Sequence, residues 1–60
     1  MGLTESYVDA AKDCIEEFLC YGSQAADAMR DEKAKTIAKH HDLPVMQCID
    51  GIEDAIAENI

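Results

Sequence analysis

The residues of this chain that could form a soft metal site or a thiol or imidazole catalytic centre are few: Cys14, Cys20, Cys48, His40 and His41. Small zinc sites recruit ligands in close pairs such as Cys-x2–4-Cys, because one turn then presents both sulfurs to one ion. Cys14 and Cys20 are too far apart for that pattern and fall on different faces of a helix. His40 and His41 are adjacent, so their side chains diverge by about 100° on a helix and do not easily share an ion. Cys14, Cys48 and one histidine could meet only through the tertiary fold. The expectation is no metal and no cofactor. Cys14 and Cys48 read as small apolar packing residues. Cys20 sits among carboxylates, which keep a thiol protonated and poorly nucleophilic. His41 reads as a half-buried core histidine with one nitrogen satisfied, and His40 as an exposed cation favoured by a helix C-terminus. Ser6 and Ser23 stand near helix starts, where capping accounts for them. No glycine-rich phosphate loop occurs. Carboxylate pairs are plentiful, but a 60-residue chain has little material for a walled cleft around them. The reading is a non-enzymatic protein.

The carboxylates are arranged in stripes. Glu5, Asp9, Asp13 and Glu17 recur every fourth residue with Glu16 beside them, and Asp50, Asp54 and Glu58 repeat the pattern with Glu53 nearby. Residues four apart are neighbours on a helix surface, and each like-charged pair costs about 0.2–0.5 kcal/mol. Lys12 alone offers local relief. Glu16, Glu17 and Glu58 also oppose the helix dipole. Stripes that cost stability locally are read as a docking face for a basic protein partner, with mimicry of a nucleic acid as one form of it. A solvated, solubilising face is the plain alternative.

The whole chain is acidic, with 13 Asp and Glu against 5 Lys and Arg and a net charge of −8. Phosphate backbones and anionic membranes both repel such a surface. The balance is uneven. Residues 1–29 hold six acids and one base, residues 30–41 two acids and four bases, and residues 42–60 five acids and no base. No apolar run approaches the ~20 residues needed to span a bilayer. Glu5 and Asp9 argue against a secretory leader. The opening Met1-Gly2-Leu3-Thr4-Glu5-Ser6 fits a loose acylation pattern, which the net charge opposes. Three cysteines are an odd count, and a reducing cytoplasm is the simplest setting.

These residues must be positioned by helices, since no segment alternates with period two. A first helix is expected over about 5–21, capped by Thr4, stapled by Leu3 and Val8, and stopped by Gly22. Its stripe is Val8, Ala11, Ile15, Phe18 and Leu19. Ser23 reads as the cap of the next segment. There the apolar set drifts from Ala25, Ala26 and Met29 to Ala34, Ile37, Ala38 and His41, which points to two short helices across 23–41. Asp42-Leu43-Pro44 ends that region. A last helix is expected over about 44–58, with Asp42 capping it and Val45, Ile49, Ile52, Ile56 and Ile60 as its stripe. Gly51 within it reads as a tolerated glycine costing about 1 kcal/mol, with a close approach of helices as the alternative.

The expected fold is therefore an all-α single mini-domain over 1–60, a small bundle of three or four short helices. Tyr7, Ala10, Cys14 and Tyr21 widen the apolar arc of the first helix beyond what one packing partner would use. That predicts a homodimer through Tyr7, Cys14, Phe18 and Tyr21. The expected function is a regulator, adaptor or inhibitor that presents acidic helices to a basic partner. The alternative is a helix-turn-helix DNA-binding regulator. Thr36-Ile37-Ala38, Leu43, Val45 and Cys48 loosely follow that motif's apolar skeleton, with Lys33, Lys35 and Lys39 for phosphate and Gln47 for bases. Asp50, Glu53 and Asp54 on the would-be reading helix argue against it.

Overall fold

One glycine ends the first helix and begins the second. Gly22 sits at φ 97°, ψ −176°, a conformation that a Cβ would strain. Its N–H donates to the Phe18 carbonyl at 2.9 Å, and its own carbonyl accepts from the Ala26 N–H at 3.2 Å. The computed structural model describes residues 2–60. Among them are three helices and no strand: α1 (Leu3–Tyr21), α2 (Ser23–His41) and α3 (Val45–Asn59). Met1, the first residue of the acylation pattern, lies outside the described residues.

The expected side-chain caps are not used. Gly2, not Thr4, occupies the N-cap of α1, and the Ser6 hydroxyl donates back to the Gly2 carbonyl at 3.2 Å. Ser23 lies inside α2, because the reversal at Gly22 leaves no room for a separate capping residue. Asp42 does not cap α3. It takes the left-handed conformation, φ 55° and ψ 53°, at the end of α2, which a short polar side chain tolerates. The Leu43 N–H then reaches back to the Ala38 carbonyl at 2.9 Å, and Leu43 packs on the core. Lys39, His40 and His41 in that last turn suit the negative end of the helix. Pro44 precedes α3 with φ −61°, and its carbonyl receives the first helical bond, from Cys48.

The middle segment is one helix, not two. Residues 23–41 contain no glycine or proline, and alanine, lysine, glutamate, methionine and arginine carry the backbone through the charged Arg30–Lys33 stretch. The apolar drift has another cause. The second half of α2 buries Ala34, Ile37 and Ala38 in the core, while Ala25, Ala26 and Met29 stay half-buried.

The core is built from small residues. Ala10, Ala11 and Cys14 of α1, Ala34, Ile37 and Ala38 of α2, and Cys48, Ile52 and Ala55 of α3 are buried. Leu3, Tyr7, Met29, Leu43, Ile49 and Ile56 pack around them. Small side chains let helix axes approach closely, and each helix touches the other two. Gly51 is such a point of approach rather than a merely tolerated glycine. A Cβ there would lie 2.7 Å from Cδ2 of Tyr7 and nearer still to Cε2 and Cζ. The Cα radius of gyration is 10.4 Å, which matches a compact chain of this length at about 10 Å.

Candidate functional site

Close packing of small residues has a consequence at the surface. The large apolar side chains that the core does not use remain outside. Phe18 is 53% exposed, Leu19 77%, Tyr21 75% and Met46 68%. Phe18 and Leu19 gather with residues of all three helices. Ile15, Phe18 and Leu19 of α1, Ala26 of α2, and Ile56 and Ile60 of the α3 end line an open groove of about 540 Å³, with buried Cys14 against it. Asp27, Arg30, Glu53 and Asn59 complete its lining. Monomeric proteins seldom leave contiguous apolar patches without a use.

Arg30 organises the rim. Its guanidinium donates to Asp31 Oδ1 at 3.1 Å and lies 3.6 Å from Asp27 and 3.7 Å from Glu53. The Asp31 hydrogen bond, reinforced by the surrounding carboxylates, raises its pKa further. It ties α2 to α3 at the groove's edge. Lys33 does the same between α2 and α1, with Nζ 3.1 Å from Asp13. These pairs offset part of the local cost of the acidic stripes: Asp13 and Glu53 each hold a cation of α2. Glu5, Asp9, Glu16, Asp50, Asp54 and Glu58 are exposed, and Glu17 is half-buried. A shallow second depression of about 230 Å³ sets Asp54 and Glu58 beside Thr4 and Val8, so the acids of α3 line its seam with the start of α1.

The four residues expected at a dimer interface are divided. Cys14 is 1% exposed inside the core, and burial pushes its thiol pKa up. Tyr7 lies against Gly51, and burial raises its hydroxyl pKa, with Cys48 adding to the shift. The Tyr7 hydroxyl is buried with no hydrogen-bond partner among the described residues. The wide apolar arc of α1 therefore has an internal explanation, because it faces two helices rather than one. Phe18 and Tyr21 remain on the surface.

Among the described residues, no three His, Cys, Asp or Glu side chains are gathered as a metal would need. His40 and His41 meet edge to face with ring centroids 5.0 Å apart. His41 is half-buried as expected, and its buried Nε2 has no hydrogen-bond partner among the described residues. The helix-turn-helix skeleton is met in part. Ile37, Ala38, Leu43 and Cys48 all join the core, and Asp42 supplies the left-handed turn residue. Thr36 and Val45 are exposed instead, Thr36 with its hydroxyl on the Glu32 carbonyl at 3.2 Å. Lys33 is engaged by Asp13, while Lys35, Lys39 and Gln47 are exposed.

Sequence reasoning missed Arg30, Leu19, Ile56 and Ile60 as parts of one site. The usable signal was the density of large apolar residues at the end of α1, Ile15-Phe18-Leu19-Tyr21, against an alanine-rich start of α2 that could not cover them. No helix among the described residues is long and apolar enough to cross a membrane. Comparison with protein-family models, curated proteins and solved structures finds no match to the chain.

Proposed function

We propose that this chain is a cytoplasmic, non-enzymatic interaction module that presents acidic helical faces to a basic protein partner. One observation carries the reading. Of the nine stripe acids, only Asp13 and Glu53 are used in ion pairs between helices, while Glu5, Asp9, Glu16, Asp50, Asp54 and Glu58 face solvent on α1 and α3. Like-charged neighbours four apart are unfavourable in the free protein, and an oppositely charged partner relieves them and is steered in faster. The burial that raises the Cys14 thiol is the reverse of what a catalytic cysteine needs.

The experiment is capture of partners on the tagged chain at low salt, eluted with a salt gradient. A basic protein that elutes at moderate salt, and is lost when Asp9, Asp50 and Asp54 are changed to Lys, supports the reading. Binding unchanged by those substitutions and by salt refutes it. Two other readings each have one observation behind them. Exposed Phe18 and Tyr21 favour a homodimer, which light scattering under reducing conditions would distinguish from a 6.6 kDa monomer. The left-handed Asp42 between α2 and α3 favours a helix-turn-helix regulator, which a gel shift at low salt would reveal.

A further inference from the structure

We infer that the groove between the three helices seats one amphipathic helix of the basic partner, with leucine-like side chains down its apolar face and Lys or Arg along its flanks. This deepens the interaction-module reading and rests on it. The argument starts from what the groove offers. Its lining is aliphatic and aromatic, Ile15, Phe18, Leu19, Ile56 and Ile60, with the small residues Ala26 and buried Cys14 among them. Small residues among large ones leave space for the side chains of an incoming helix. Recognition of a helix in a groove uses such a surface, with anchors spaced i, i+3 or i+4, and i+7.

A small polar ligand fits poorly. Such sites aim a few free polar groups at the ligand. The one base in this lining, Arg30, already holds Asp27, Asp31 and Glu53.

Charge selects between the remaining occupants. Asp27 and Glu53 line the groove. Residues 13–29 contain no Lys or Arg, and neither do residues 42–60. A second copy would bring the same net charge of −8 and the same acid-flanked apolar face. Pressing like-charged surfaces together is unfavourable, whereas basic flanks meet the rim carboxylates with complementary sign. Arg30 need not be displaced, because the partner's cations can share the outer oxygens of acids that are themselves more than half exposed.

The test uses three labelled synthetic helical peptides of equal length. One has a leucine face with lysine flanks, one has lysine and alanine only, and one has the leucine face with glutamate flanks. Binding is followed by fluorescence anisotropy and mapped by amide chemical shifts on the full chain. The Leu/Lys peptide should bind most tightly and shift Phe18, Leu19, Ala26 and Ile56. Leu19→Glu and Ile60→Glu, both at exposed positions that should leave the fold intact, should each weaken it about tenfold or more, as expected for losing a buried aliphatic contact. Equal binding of the Lys/Ala peptide, with shifts confined to the acidic stripes, overturns the groove assignment and leaves the acidic-module reading standing. Failure of both lysine peptides to bind overturns both. Equal binding of the Leu/Glu peptide overturns the charge argument. A dimer that Leu19→Glu disperses, with no peptide binding, assigns the groove to a second copy instead.

Discussion

Gly51→Ala is the substitution whose outcome depends most directly on the tertiary structure. In a helix interior facing solvent, replacing glycine by alanine stabilises by about 1 kcal/mol. Here the new methyl falls inside the Tyr7 ring, 2.7 Å from Cδ2 and closer to Cε2 and Cζ. Relieving an overlap in a packed region costs about 1–3 kcal/mol. The net effect therefore runs from neutral to a loss of about 2 kcal/mol. In a domain this small, each 1 kcal/mol moves Tm by about 4–8 °C. The sharper quantity is the coupling to Tyr7. Leucine at position 7 keeps an aliphatic contact but lacks Cε2 and Cζ, so Gly51→Ala should be stabilising in the Tyr7→Leu background. The double-mutant cycle should then return a coupling of about 1–3 kcal/mol, the size of the overlap itself. Tyr7→Phe is the control. The buried hydroxyl has no hydrogen-bond partner, so removing it should cost nothing and can stabilise. Thermal and urea unfolding followed by circular dichroism at 222 nm measures all of these. If Gly51→Ala raises Tm by the same amount with tyrosine or leucine at position 7, the ring does not hold that space and the close approach of α1 and α3 is refuted.

Two further outcomes follow from the buried polar groups. Burial raises the Cys14 thiol above its ordinary 9.0 and the Tyr7 hydroxyl above its ordinary 10.0. Between the unfolded and folded values the native state holds more protons, so stability is full below the unfolded values and falls as pH rises through the folded ones. Urea midpoints should therefore begin to decline above about pH 9, and Cys14→Ala should flatten the earlier part of that decline; a flat profile in the parent chain would contradict the burial of both groups. A thiol reagent should modify Cys20 quickly in the native protein, and Cys14 and Cys48 only as fast as the chain opens, since the first is exposed and the others buried. Three equally fast reactions would show that the small-residue core is loosely packed.

The sequence alone determined what depends on local chemistry. Absence of period-two alternation specified helices. Gly22 had to end the first helix, because its positive φ suits a residue without a Cβ. Pro44 had to mark the start of the last, since the residue before a proline is disfavoured in a helix. The acidic stripes are visible directly as charges at i, i+4. Tertiary structure decided the rest, because several arrangements satisfy the same periodicity. Cys14 could have faced a second copy, but α1 touches two helices and buries it, while Tyr7 is half-buried with its ring against Gly51. The drifting apolar face of α2 could have signalled a break, but it separates a half that fills the core from a half that walls the groove. Gly51 could have been incidental, but it is where the Tyr7 ring lies. The capping role of Thr4 failed because α1 already starts at Leu3 with Gly2 at its N-cap, and those of Ser23 and Asp42 because the connections are so short that Gly22 and Pro44 sit at the helix starts themselves. Arg30, one cation among several in the sequence, became the link between helices only when folding brought Glu53 to its side. Pattern identifies which faces are apolar or charged. Which of those faces are consumed inside the molecule, and which remain for a partner, depends on how closely the helices approach, and here alanine and cysteine side chains set that distance.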